Sequence, residues 1–209
     1  MTDEPKNRLG ADAGMRRVVT INGTDGKSGL HDNHLAPRVD RYTHIPGMST
    51  SILWATTANA PIPKGFSDPV PTLTSLHPSP GGSVFMILTM PPDTVYANPG
   101  FDFGAAALEQ AHRAPGLAEL FEPQAPGFHT TDTVDYVTVL DGEVWLETDT
   151  QEVRLGVHDT VVQNGTRHAW RNKSSKTATL SVVLVGARRS LSETTRLNRP
   201  WFRRHLQAS

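Results

Sequence analysis

The sequence contains no cysteine. That absence excludes disulfides, thiolate metal sites and cysteine nucleophiles, so any metal must be held by histidine and carboxylate side chains. A dominant charge is also missing, since 20 Lys and Arg stand against 21 Asp and Glu. Such a balance gives no global field for nucleic acid or an anionic membrane, and neither is expected as a partner. No apolar run approaches the roughly 20 residues of a membrane-spanning helix. Residues 1–14 are polar and mixed in charge, without the apolar core of a secretory signal, which leads to the expectation of a tail and a cytoplasmic protein. Gly26-Lys27-Ser28 lacks the glycine a phosphate loop needs five places earlier, where Ile21 stands.

What is present is mostly strand. Short runs rich in Val, Leu, Ile and Thr alternate with Gly, Pro, Asp and Asn punctuation, the pattern of antiparallel strands joined by tight turns. Strands are expected over 16–21, 38–45, 49–57, 72–77 and 83–90, with residues 22–27 as a turn and His31 and His34 in a polar loop. Ser83 to Met90 is apolar on both faces, which predicts burial on both sides, against a second subunit if the protein is a homodimer. Six further strands are expected between Val134 and Gly186, and their even spacing favours a closed or jelly-roll barrel. One helix is expected over 103–112, capped by Asp102 and apolar along Phe103, Ala107, Leu108 and Ala111, with a shorter one over 115–121. Ala187 to Ser209 carries six arginines against one acid with Trp201, Phe202 and Leu206 between them, and reads as an amphipathic segment that docks on the barrel or a partner subunit.

The stretch from Pro126 to Asn172 organises the rest. Residues two apart on a strand share a face, so His129, Thr131, Thr133 and Asp135 form one inward line, and His168, Trp170 and Asn172 another. Two imidazoles and a carboxylate converging inside a barrel suit a metal or an acid–base site. The stretch resembles the cupin superfamily. His129-Thr130-Thr131, Asp135 and Gly142 fall on the spacing of the first cupin motif, with Thr131 in place of its second histidine and Asp135 in place of its glutamate. Gln163-Asn164-Gly165-Thr166-Arg167-His168-Ala169-Trp170-Arg171-Asn172 follows the second motif, with Gln163 in place of proline. The resemblance implies an all-β, cupin-type jelly-roll barrel whose core is 123–187. N-terminal strands (15–100) would cover it or be exchanged in a homodimer, with one or two short helices (101–122) and a basic tail (188–209).

By the same resemblance His129, Asp135 and His168 would be metal ligands and catalytic groups, holding Fe, Zn, Mn or Ni. Asp135 is shorter than glutamate by roughly 1.5 Å of reach, which puts it either on the metal or behind a histidine. Without a metal, the two histidines remain acid and base. Thr131, Thr133, Trp170, Trp54 and Met86 are the expected substrate contacts. Three functions are open: a metal-assisted lyase of dehydratase or isomerase type acting on a small hydroxylated carbonyl or carboxylate metabolite, a non-haem iron dioxygenase, or a metal-free small-molecule binding barrel.

Overall fold

The structure, a computed structural model, describes residues 15–62 and 66–190. The expected tail over 1–14 and most of the basic C-terminal segment lie outside the described residues. The chain forms β1 (Arg16–Asn22), β2 (Ser28–Leu35), β3 (Arg38–Arg41), β4 (Ser49–Thr56), β5 (Ser83–Met90), α1 (Phe103–Arg113), β6 (Thr133–Asp141), β7 (Val144–Thr148), β8 (Glu152–Leu155), β9 (Thr160–Asn164), β10 (His168–Arg171) and β11 (Ala178–Gly186).

Two sheets enclose the core. The larger has the order β3-β4-β5-β11-β6-β9 and the smaller β10-β7-β8, and every pairing is antiparallel. A single bridge, His129 to His168, adds one more strand position beside β10. From β5 onward the chain alternates between the sheets in the double Greek key of a jelly roll. The antiparallel, mostly β architecture is the jelly-roll class expected from the sequence. Between the sheets, Val144, Leu146 and Leu155 of the smaller one meet Val84, Met86, Val137, Val139, Leu180 and Leu184 of the larger. Strand β11 shows the cause most simply: Ala178, Leu180, Val182 and Leu184 are buried and the residues between them only half so, the period-2 pattern of a one-sided core. At the β6–β7 turn Gly142 has φ +73° and a Cβ there would stand 2.9 Å from Ala178 Cα, so only glycine fits without strain.

Five expectations change. His31 and His34 lie on β2, paired with β1 in a hairpin, where His31 stacks on Phe66 at 3.6 Å. Residues 72–77 form no strand, and the second helix shrinks to a 3-10 turn at Ala118–Leu120. Strand β3 stops at Arg41. Helix α1 keeps its cap, with the Ala105 amide donating to Asp102 Oδ1 at 2.9 Å. Its predicted apolar stripe, however, faces out, with Phe103 and Leu108 exposed and Ala106 buried. Polar anchors orient the helix instead. Glu109 accepts from the Thr43 and His44 amides at 2.9 and 2.7 Å and pairs with Arg113 at 3.0 Å.

Candidate active site

The glycine of the second motif sets the geometry. Gly165, at φ +58°, turns the chain from β9 into β10 so that His168 points inward and is buried. His129 arrives from the other side and is bridged to it by two backbone hydrogen bonds, His129 N to His168 O and the reverse, both 3.0 Å. The imidazole centroids stand 4.3 Å apart. Each ring is tied at Nδ1, His129 to the Gly127 carbonyl at 3.1 Å and His168 to the Thr166 carbonyl at 2.9 Å. A carbonyl only accepts, so Nδ1 of each ring carries the hydrogen and Nε2 of each is the basic nitrogen.

Both rings are neutral at pH 7. Burial pulls His168 down from 6.5 to about 4, helped by the neighbouring His129 and opposed by the Thr166 carbonyl. Burial also lowers His129, while the Gly127 carbonyl and the charge of Glu122 hold it up. His129 is therefore the better placed of the two to accept a proton.

Behind the pair runs a polar line on the inner face of β6. Thr131, Thr133 and Asp135 are all buried, and the Thr133 hydroxyl donates to Thr131 Oγ1 at 2.7 Å. Asp135 is flanked across the sheet by Leu184 and Gln163, and its Oδ1 has no hydrogen-bond partner. Burial pushes its carboxyl up to about 6, against the Thr133 hydroxyl, which holds it down.

The expected ligand set is not assembled. Among the described residues no three His, Asp or Glu side chains group so as to hold a metal ion. His129 and His168 meet, but Asp135 belongs to the larger sheet, between Leu184 and Gln163, and Thr131 offers only a neutral hydroxyl. Two imidazoles fall short of the three protein ligands usual in a catalytic zinc site.

The expected substrate contacts divide. Thr131 and Thr133 lie on the polar line. Trp170 stands edge-on to His168 at 6.2 Å and packs on the core. Met86 lies on the inner face, one cross-strand row below Asp135. Trp54 is not brought to the site. A bulge between Ile52 and Trp54 pairs Trp54 with Phe85, turning it to the outer face, where Arg17 lies 5.7 Å from its ring. The extra residue of a bulge reverses the parity that a regular strand implies. A surface cleft of about 390 Å³ near His44, Val95 and Phe101 is remote from this chemistry. Its Asp102 and Asn98 are already engaged by the Ala105 and Gly100 amides.

Other residues emerge only from the structure. Gln163 donates from Nε2 to the Thr166 carbonyl at 3.1 Å, the same oxygen that holds His168. Outside the barrel, Arg167 packs over the Phe128 ring at 4.0 Å, grips Glu122 through two bonds of 2.8 and 2.7 Å and pairs with Asp149 at 2.5 Å. Arg171 adds a bond to the Pro126 carbonyl at 2.9 Å. Phe128 and Arg167 each precede a site histidine, so this clasp fixes the segment that carries His129. Asn172, by contrast, is a loop staple, donating to the carbonyls of Met90 and Lys176 at 3.1 and 2.8 Å.

No family model matches the chain. Phomopsin biosynthesis cluster protein C' of Diaporthe leptostromiformis is 51% identical over 47 residues, 22% of this chain and 25% of that protein. Oryzines biosynthesis cluster protein J of Aspergillus oryzae is 48% identical over 50 residues, 23% of this chain and 28% of that protein. The matched segment thus spans about a quarter of each relative's length. Among solved structures, the Schizosaccharomyces pombe Cnp3 cupin domain has a TM-score of 0.41 at 10% identity, over 82% of this chain and 87% of that one. A putative ethanolamine utilization protein Q from Salmonella typhimurium has a TM-score of 0.38 at 8% identity, over 84% and 98%. No helix among the described residues is long and apolar enough to cross a membrane.

Proposed function

We propose that this chain is a small-molecule lyase of dehydratase or isomerase type, acting on a hydroxylated carbonyl or carboxylate metabolite by proton transfer at the His129–His168 pair. One observation carries the reading: two buried, neutral imidazoles 4.3 Å apart, each with Nδ1 bound to a backbone carbonyl, so that both basic nitrogens are left for a substrate. The names of the relatives, both proteins of biosynthesis clusters, support a metabolite as the ligand.

The proton inventory follows from the electrostatics. His129 Nε2 takes the proton from the carbon next to the carbonyl. His168 Nε2, whose ring stays neutral down to about pH 4, accepts a hydrogen bond from the substrate hydroxyl and orients it. Two charged rings at this separation repel strongly, so the pair holds at most one extra proton. That proton passes from His129 to the departing β-hydroxyl. The C–O bond breaks, its electron pair leaves with oxygen as water, the carbon–carbon double bond forms, and both rings are neutral again. Returning the proton to a different carbon instead gives the isomerase outcome. No step runs through a metal, because among the described residues no third ligand stands with the two histidines.

The test is turnover by a His168→Ala variant that still folds. Removing the hydrogen bond that orients the substrate hydroxyl is expected to lower turnover by about tenfold or more, and undiminished turnover refutes the reading. Oxygen uptake dependent on added Fe(II) would select the dioxygenase instead, and ligand binding with no product would select the binding barrel. A cytoplasmic homodimer remains part of the proposal. Phe85, Val183, Tyr136 and Val162 form one cross-strand row on the outer face of the large sheet, with Tyr136 and Val162 exposed.

A further inference from the structure

The buried oxygen of Asp135 remains unexplained by the reaction above. The side chain is 4% exposed, and its Oδ1 has no partner. Buried carboxylate oxygens are otherwise hydrogen-bonded, because a missing donor leaves the full cost of desolvation uncompensated. The surroundings supply no donor from the apolar side: Leu184 is the cross-strand neighbour on β11, with Val84 beyond it. The polar side runs by way of Thr133 and Thr131 toward the histidine pair.

The charge pattern of the interior is one-sided. Apart from the histidines, the buried polar groups among the described residues are Arg17, Thr50, Ser51, Thr131, Thr133, Asp135, Gln163 and Asn172. Arg17 is the sole cation among them. It belongs to the β1–β2 hairpin on the outer side of the sheet, held by Asp32, Asp68 and the Leu53 carbonyl. Among the described residues, the barrel interior therefore contains an acid and no buried cation to match an incoming anion.

We infer that the barrel selects a neutral or cationic ligand that presents an N–H or O–H donor to Asp135 Oδ1, and that it rejects carboxylates and phosphates. The inference rests on reading the barrel interior as the substrate site and narrows the substrate of the proposed reaction to a hydroxylated or aminated carbonyl compound. An ammonium placed on Asp135 forms a charge-assisted bond in a medium that screens little. A hydroxyl satisfies the same oxygen. A carboxylate meets a buried acid and two neutral imidazoles that offer basic nitrogens, with the neutral Thr131 hydroxyl as the one donor on the polar line.

Calorimetric titration with benzylamine, benzyl alcohol and benzoate, three probes with one ring and different head groups, tests the inference at pH 7.5. Benzylamine and benzyl alcohol are expected to bind at least tenfold more tightly than benzoate. Asp135→Asn is expected to weaken benzylamine at least tenfold while changing benzyl alcohol by less than threefold. If that variant does not fold, Asp135→Glu retains the charge and is expected to retain the preference for amine over benzoate. Benzoate binding as tightly as the amine, amine affinity indifferent to Asp135→Asn, or no binding by any probe overturns the inference. Failure of the proposed reaction is distinguishable. Full turnover in His168→Ala with the head-group preference intact removes the lyase and leaves the selectivity standing. Lost turnover without that preference does the reverse.

Discussion

Asp135 and His168 pull the pH dependence of stability in opposite directions, and replacing Asp135 with asparagine separates them. The Asp135 carboxyl rises from 3.8 to about 6 on folding, chiefly by burial. A pKa raised in the folded state means that the native protein holds the proton more tightly. Its contribution is therefore fully present below pH 3.8 and is lost as the pH climbs through about 6. The difference of about 2.2 units corresponds to about 3 kcal/mol. His168 does the opposite, because its pKa falls from 6.5 to about 4. Its contribution is intact above 6.5 and is lost as the pH drops through about 4, again by about 3 kcal/mol. In the wild-type protein the two nearly cancel across this window. Asp135→Asn leaves only the histidine slope. Urea unfolding followed by tryptophan fluorescence, at intervals from pH 4 to pH 8, gives the stability of each protein. The wild type minus variant difference should shift by about 3 kcal/mol in favour of the variant at pH 8 relative to pH 4. Effects of the amide that do not depend on pH cancel in that comparison. A difference constant to within about 0.5 kcal/mol, or one of opposite sign, refutes the claim that burial of Asp135 outweighs the Thr133 hydroxyl that opposes it.

Other outcomes follow from the same structure. Leu180→Ala, at a fully buried position between the sheets, is expected to cost about 2–5 kcal/mol in chemical denaturation. Gly142→Ala places a Cβ 2.9 Å from Ala178 Cα at φ +73°; a loss of about 1–3 kcal/mol is expected, measured as a lower urea midpoint. Arg167→Gln removes partly exposed ion pairs and is expected to cost about 1 kcal/mol or less. It should nevertheless displace the imidazole resonances of His129 in nitrogen-correlated NMR, and unchanged resonances would remove Arg167 from any role in placing that ring. Light scattering should give twice the monomer mass for the wild type and the monomer mass for a Val162→Lys variant.

The jelly roll was legible because its signals are local and repeated. Alternation along β6 and β11 assigns their inner faces, and Gly142 and Gly165 mark turns that few other residues could make. The histidine pair was legible for the same reason, since the spacing around Gly165 places His168 inward. Trp54 was not, because the bulge after Ile52 is set by pairing with β5 and leaves no mark in the alternation of β4 itself. Helix α1 misled in another way. Its apolar stripe is genuine, but Glu109 found two backbone amides across the chain, and those bonds determine which side faces the protein. The position of Asp135 relative to the histidines depends on how the chain passes from one sheet to the other near Asp132. Sequence spacing does not report such a crossing.

The bridge between His129 and His168 has a consequence for how variation in this chain should be screened. It is one residue pair wide, and each histidine has beside it a residue on the exterior, Phe128 on one side and Arg167 on the other. Selection for thermal tolerance would pass most changes at Arg167, because its partly exposed ion pairs contribute little free energy. The reactive nitrogens would still register them as a shift in alignment. A mutational survey scored by melting alone would therefore class as silent a surface site that helps to place the reactive nitrogens.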